Sequence, residues 1–219
     1  MRLYLKLTKN AETIPFNYQH LLTGAIHKWI GEENKEHGDV SLYSFSWLQK
    51  VSTNNKGIML TRDSYFFIST FKDDLLKAIL KGVLKNPFMC CGSEVYDAQI
   101  METPQFGTKQ HFFLASPVFI KRRFDDKQKH IAFNDEESGK YMTETMNKKM
   151  SVAGLSSEGL SIEFDKNYPN PKTKLIHYKE IENKANICPV IIEGSPEQIA
   201  FAWNVGVGNS TGIGFGALK

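Results

Sequence analysis

The sequence predicts an α+β protein made of two tandem β-α-β-β-α-β units, the ferredoxin-like arrangement, ending in a glycine-rich loop. Two observations predict it. Segments of alternating and of helical apolar spacing follow one another in the same order twice along the chain. The chain then runs from a final helix into Gly206–Gly216, where five of eleven residues are glycine. The join falls near Phe106 to Gln110, so the two domains are expected at 1–108 and 109–219. A chain of 219 residues with 41% hydrophobic residues is long enough for one large or two small cores.

Arg2 to Leu7 alternates, with Leu3, Leu5 and Leu7 on one face and Tyr4 and Lys6 on the other, which predicts a half-buried strand. A helix is predicted from about Asn17 to Ile30, with Leu21, Leu22, Ala25, Ile26, Trp29 and Ile30 on one broad face. His20, Thr23 and His27 fall on its opposite face, outside the core. Gly31 to Asp39 is a polar loop carrying His37. Ser41 to Gln49 alternates again, and Ile58–Leu60 and Tyr65–Ser69 read as one or two more strands. Asp73 is placed to cap a second helix over 74–85, which Asn86-Pro87 ends, and a strand lies within Ser93 to Glu102.

In the second half, strands are predicted over Phe112–Ile120, Leu160–Phe164 and Ile187–Glu193. A weaker helix runs over Asp135–Met150, with Tyr141, Met142, Met146 and Met150 as its apolar side. Ser195-Pro196-Glu197-Gln198 is a capping box with proline at the first helical position, and the helix it opens runs to about Asn204. A last short strand is expected over Phe215–Leu218.

Composition excludes little by itself. Lys+Arg is 27 against Asp+Glu 24, a net +3, which is too mild to imply a nucleic-acid partner. The most basic cluster is Lys121-Arg122-Arg123. The three cysteines, Cys90, Cys91 and Cys188, lack any CxxC or Cys/His ligand spacing, so no metal site and no cofactor is predicted. No apolar run approaches the 18 residues of a membrane span, and Met1 leads directly into a strand pattern. A reduced, cytoplasmic protein with no membrane association is expected.

Glycine-rich loops expose backbone amides, and exposed amides bind anions such as phosphate. Two phosphate motifs nevertheless fail in Gly206–Gly216. A P-loop ends in Gly-Lys-Ser/Thr, and no lysine is present. A dinucleotide fingerprint needs a third glycine where Thr211 stands, followed by a helix and strand for which no chain remains.

The loop instead fits Gly-apolar-Gly, five residues, Gly-apolar-Gly: Gly206-Val207-Gly208, Asn209 to Ile213, then Gly214-Phe215-Gly216. In this it resembles the repeat-associated RNA-binding superfamily of CRISPR systems. Pro15-Phe16-Asn17-Tyr18-Gln19-His20, leading into Gly24-Ala25-Ile26-His27, resembles the first helix of the endoribonuclease that processes repeat RNA, the sixth Cas family. Ser116-Pro117-Val118 resembles that family's short Ser-Pro signature. The likeness covers most of the chain and is weakest between Asp125 and Lys184. One departure stands out. The family loop commonly carries lysine or arginine between its glycine pairs, where this chain has Asn209 and Ser210.

The resemblance implies metal-independent cleavage of CRISPR repeat RNA (pre-crRNA) into guide RNAs. It puts a catalytic histidine at His37 and a second acid/base at His27, with Lys28 or Lys35 in support. Given an RNA partner, the basic Lys121, Arg122 and Arg123, with Gly206, Gly208, Asn209, Ser210, Gly212 and Gly214 of the loop, are expected to hold its phosphates. The implied partner is repeat RNA; other CRISPR-associated proteins and a homodimer are compatible with it. The rival reading is a non-catalytic repeat-RNA-binding subunit. The chemistry is coherent on its own terms. Metal-free RNA cleavage needs a base for the 2′-OH proton and an acid for the 5′-oxygen, and histidine titrates near neutrality. His111, His130 and His177 are read as structural or surface residues.

Overall fold

The computed structural model describes residues 1–31 and 40–219. In the first half, β1 (Arg2–Leu7), α1 (Gln19–Ile30), β2 (Tyr43–Phe45), β3 (Gln49–Asn54), β4 (Gly57–Thr70), α2 (Asp73–Lys85), β5 (Phe88–Cys90) and β6 (Ser93–Met101) follow in order. The strands form one antiparallel sheet, β2-β4-β1-β6-β5, with β3 pairing the other stretch of β4. Leu3, Leu5 and Leu7 point from β1 into a core closed by Leu22, Ile26 and Trp29 of α1 and Leu76, Ile79 and Val83 of α2. Both helices therefore cover one sheet face, as the alternation of β1 dictates.

Several sequence expectations change in detail. Ile58–Leu60 and Tyr65–Ser69 belong to one strand of 14 residues, because two partners share its length. Asp73 is the first residue of α2, and the N-cap position is Lys72, which makes no side-chain capping bond. Of the Ser41–Gln49 stretch, read as one strand, Tyr43–Phe45 forms β2 and Gln49 opens β3, and β2 is buried on both faces. Ser44 and Ser46 are as buried as Tyr43 and Phe45, since the second half of the chain covers the face that alternation assigns to solvent. Thr23 is buried for a related reason: the glycine loop packs along α1.

The second half contains β7 (Lys109–Phe112), β8 (Lys121–Phe124), β9 (Lys127–His130), α3 (Ser138–Val152), β10 (Ser161–Phe164), β11 (Lys172–Tyr178), β12 (Ile181–Ile187), β13 (Val190–Glu193) and α4 (Pro196–Val205). β10, β13 and β7 make a three-stranded antiparallel sheet, while β8-β9 and β11-β12 are separate hairpins. The expected strand 112–120 stops at Phe112, and beyond it the chain makes only isolated bridges, Leu114 to Leu218 and Val118 to Asn186. Pro117 has no amide to donate to a ladder. Phe215–Leu218 likewise forms that one bridge and no strand. The 187–193 stretch divides into the end of β12 and β13. The capping box at α4 is as expected: Ser195 Oγ accepts from the Gln198 amide at 3.2 Å, and Gln198 Oε1 accepts from the Ser195 amide at 2.8 Å.

A second core gathers Met142, Met146 and Met150 of α3 with Ile162, Val190, Ile192, Ile199 and Ala202. The halves meet across buried Arg2. Its guanidinium lies 3.8 Å from the Phe67 ring centroid and 3.6 Å from that of Trp203, and donates to Ser69 Oγ (2.6 Å) and the Leu218 carbonyl (2.8 Å). Among the described residues, no helix is long and apolar enough to cross a membrane.

Candidate functional site

The glycine loop is a wedge between the halves. Gly206 has φ +72°, and a Cβ there would lie 2.7 Å from the Gly216 carbonyl oxygen and 2.8 Å from Ser44 Cβ, so only glycine fits. On the side of the first half, Tyr43 Oη donates to the Gly212 carbonyl (3.0 Å) and Trp47 Nε1 to the Gly214 carbonyl (2.9 Å). On the other side, the Asn209 amide donates to the Phe119 carbonyl (2.7 Å), and Asn209 Oδ1 accepts from the Lys121 amide (2.9 Å). Asn209 thus holds the loop to β8, a role that a lysine or arginine, having no acceptor, would not fill.

These bonds sort the loop residues. The amides of Gly206, Asn209 and Gly214 are taken by the carbonyls of Ala202, Phe119 and Thr211. The amides of Gly208, Ser210, Thr211 and Gly212 have no backbone acceptor among the described residues. A turn of 3-10 helix, Thr211–Ile213, follows Ser210, which itself adopts the left-handed conformation (φ 60°). Such a turn leaves its first amides without intrahelical acceptors.

Beside these amides lies a cleft of about 480 Å³. His27 and Tyr43 line one wall, Lys121 and Arg122 another, and Lys148 and Lys149 of α3 a third. The loop from Gly208 to Ile213 forms its floor. His27 Nε2 is 3.3 Å from Tyr43 Oη. With the phenol proton given to Gly212, the imidazole Nε2–H donates to Tyr43.

The sequence-predicted residues divide accordingly. His27, Lys121, Arg122, Gly208, Asn209, Ser210 and Gly212 are brought together at the cleft. Gly206 and Gly214 shape the loop from behind and do not line it. Lys28 points elsewhere: its ammonium donates to the Phe88 carbonyl and lies over the Phe88 ring. The basic triplet is not one surface. Arg122 turns onto α3, donating to the Tyr141 carbonyl (2.5 Å), Thr145 Oγ1 (3.1 Å) and Glu144 (3.3 Å), whereas Arg123 faces Asp126 in solvent. His37, with Lys35, lies outside the described residues. His111 pairs with Asp165 (3.1 Å) and His177 with Glu182 (3.4 Å); neither lines the cleft.

Two residues escaped the sequence reading. Tyr43 falls within the alternating Ser41–Gln49 stretch, a pattern that marks it only as a strand position. Lys149 is 3% exposed, and its ammonium donates to the carbonyls of Val205 (3.1 Å) and Gly206 (3.0 Å) and to Thr211 Oγ1 (3.1 Å). Burial pulls its pKa down to about 7. A signal was available: Lys149 falls on the same helical face as Met142, Met146 and Met150. No group of three or more His, Cys, Asp or Glu side chains suited to a metal ion is found among the described residues.

The cleft's composition, cationic walls around backbone amides and a histidine, suits a phosphodiester better than an apolar ligand. Comparison with known proteins agrees in fold. The product of a Cas6-related gene from Pyrococcus furiosus superposes with a TM-score of 0.86 at 24% identity, over 100% of this chain and 97% of that one. A structure described as an RAMP protein binding different RNA substrates gives 0.86 at 24%, over 100% and 98%. One described as CRISPR associated protein Cas6 gives 0.82 at 21%, over 100% and 98%. No curated protein matches the chain. The family model for the N-terminal part of CRISPR-associated protein Cas6 matches residues 13–100, and that for its C-terminal part matches residues 101–219, more than half of the chain. With both parts matched in order, the chain belongs to the CRISPR-associated Cas6 family.

Proposed function

We propose that this protein is a metal-independent endoribonuclease that cuts CRISPR repeat RNA into guide RNAs. A ribose 2′-OH attacks the adjacent phosphate, leaving a 2′,3′-cyclic phosphate and a 5′-OH. The observation that carries this is the cleft itself. It gathers His27, Tyr43, Lys121 and the open amides of Ser210–Gly212 from segments far apart in sequence.

In this reading His27 and His37 are the acid and base, and the Tyr43 hydroxyl holds the His27 ring. The nucleophile belongs to the substrate and is already positioned, so proximity supplies much of the barrier reduction. The loop amides and Lys121 hold the phosphate as its charge grows. Lys28 has no part, because its ammonium is bonded at Phe88. Residues 1–108 and 109–219 are taken as tandem ferredoxin-like units; the antiparallel β2-β4-β1-β6 order, with both helices on one face, supports this for the first. The RNA-binding description of one fold neighbour supports the partner. The reading calls on neither a second copy of the chain nor other CRISPR-associated proteins.

The purified protein is incubated with repeat RNA in excess chelator, and the product ends are identified. Cleavage to a cyclic phosphate, abolished by one deoxyribose just 5′ of the cut, is expected. Cleavage that requires added metal or survives the deoxy substitution overturns the mechanism. Tight binding with no cleavage establishes the second reading, a repeat-RNA-binding subunit, which the absence of lysine and arginine from the loop favours.

A further inference from the structure

The loop carries no cation of its own, yet one lies directly beneath it. Lys149 reaches from α3 to the C-terminal end of α4 and the start of the loop. Its three ammonium protons meet three acceptors, all neutral, and no carboxylate pairs with it among the described residues. A buried charge without a counter-ion is costly, and it persists where function keeps it or a ligand completes it.

We propose that Lys149 is a positioning residue whose buried ammonium charges the glycine loop from beneath, so that the Ser210–Gly212 amides take up a backbone phosphate of the RNA. This rests on the reading of the cleft as an RNA site. Thr211 connects the two parts. Its Oγ1 accepts from Lys149, leaving its own hydroxyl proton for an acceptor in the cleft. The phosphate would complete the ion pair that the protein leaves open.

Anion binding then stabilises the charged lysine and raises its pKa from about 7. RNA binding near neutral pH takes up a proton, and affinity falls as pH rises above that value. The titratable and charged groups that line the cleft together with Lys149 are Lys121 and Arg122 on β8, Glu144 and Lys148 on its own helix, His27 on α1 and Tyr43 on β2. Glu163 of β10 lies at the far end of α3, beside Gly139. The loop itself bears no titratable side chain.

The test follows the Lys149 side-chain NMR signal of the unmodified protein, assigned by its loss in Lys149→Arg. It is titrated alone, with repeat RNA made uncleavable by the single deoxyribose, and with inorganic tripolyphosphate. The midpoint is expected to rise by about one unit or more with either ligand, equivalent to about tenfold tighter binding by the charged form. Lys149→Arg should bind RNA with a flatter pH dependence. Lys149→Met, if folded, should bind at least about tenfold more weakly than the native protein below pH ~7. A midpoint that stays put while RNA is bound overturns the proposal, whether or not the RNA is cut. So does a midpoint unmoved by both ligands. A midpoint moved by tripolyphosphate in a protein that neither binds nor cuts repeat RNA keeps the anion site and removes the RNA reading.

Discussion

Arg2 and Lys149 are buried to the same degree, and neither is paired with a carboxylate among the described residues, yet their surroundings make them different devices. Arg2 sits in the dry contact between the halves, its planar group clamped between Phe67 and Trp203. Burial pulls its pKa down to about 10, so it stays charged at neutral pH. Lys149 sits against an open cleft, and the same burial brings its pKa to about 7, within the working range. A delocalised, weakly hydrated guanidinium tolerates a sealed aromatic site, whereas an ammonium shifts readily when buried. One cation holds the molecule together; the other lies where an anion can meet it.

The contrast predicts that damage on the two sides separates into rate and stability. On the cleft side, His37→Ala should slow cleavage of repeat RNA by about 10²–10⁴, the usual contribution of a general acid or base, with RNA affinity unchanged. His27→Ala should do the same to a similar or smaller extent. Tyr43→Phe should lower the rate less, since it removes the contact that holds the ring and the bond to the Gly212 carbonyl but leaves both histidines in place. Single-turnover cleavage beside a urea unfolding curve checks all three. Lost stability with an unchanged rate would place these residues in the scaffold. On the other side, Arg2→Ala leaves a void between two rings and an unsatisfied Leu218 carbonyl, so it should cost about 3–5 kcal/mol in urea unfolding. Folded Arg2→Ala protein should cut at close to the native rate. A specific fall in its rate would show that the contact between the halves also shapes the cleft.

What the sequence disclosed follows the same physical division. The first half was legible because its strands have one dry face and its helices one apolar stripe, as with Leu3, Leu5 and Leu7 against Leu22 and Ile26. The β8-β9 and β11-β12 hairpins were not. Lys121–His130 carries almost no apolar alternation. Its turn passes through Asp125, and that of β11-β12 through Lys179, both left-handed without a glycine to mark them. Ser44, Ser46 and Thr23 look solvent-facing until another part of the chain folds over them. The site was half legible. The glycine spacing marked the loop, and His27 stood off the apolar face. Which loop amides stay open depends on where Asn209 docks, a long-range contact that local spacing does not encode.

A smaller effect sharpens the comparison through pH. The folded pKa of Lys149, about 7, lies below the ~10.4 of an unfolded lysine. Between those values the unfolded chain binds more protons, so this group's contribution makes stability rise with pH, by up to about 1.4 kcal/mol per unit. Its penalty is full below about pH 7 and disappears above about pH 10. Urea midpoints at about pH 7 and 8.5 should differ in this direction for the native protein, and the difference should shrink in Lys149→Met. RNA affinity should run the opposite way with pH. Arg2 stays charged across that window and contributes no such slope, so a rise that persists in Lys149→Met would mean that Lys149 is not its source.

The smallest effect concerns the same distinction at the surface, between a cation already engaged and one left open. Lys121 lines the cleft with an exposed side chain that makes no ion pair among the described residues, while Arg122 is bonded to three acceptors on α3. Each phosphate contact with single-stranded RNA contributes about −0.7 to the slope of log affinity against log salt. Lys121→Ala should flatten the slope by about that amount, with little change in stability. Arg122→Ala should instead cost stability, about 1 kcal/mol for the lost bonds to Tyr141 and Thr145, and should change the slope less. Arg123→Ala, facing Asp126 away from the cleft, should leave both measurements near the native values. Equal flattening by all three would restore the triplet as one RNA-facing surface, and would mean that Arg122 leaves α3 when RNA binds.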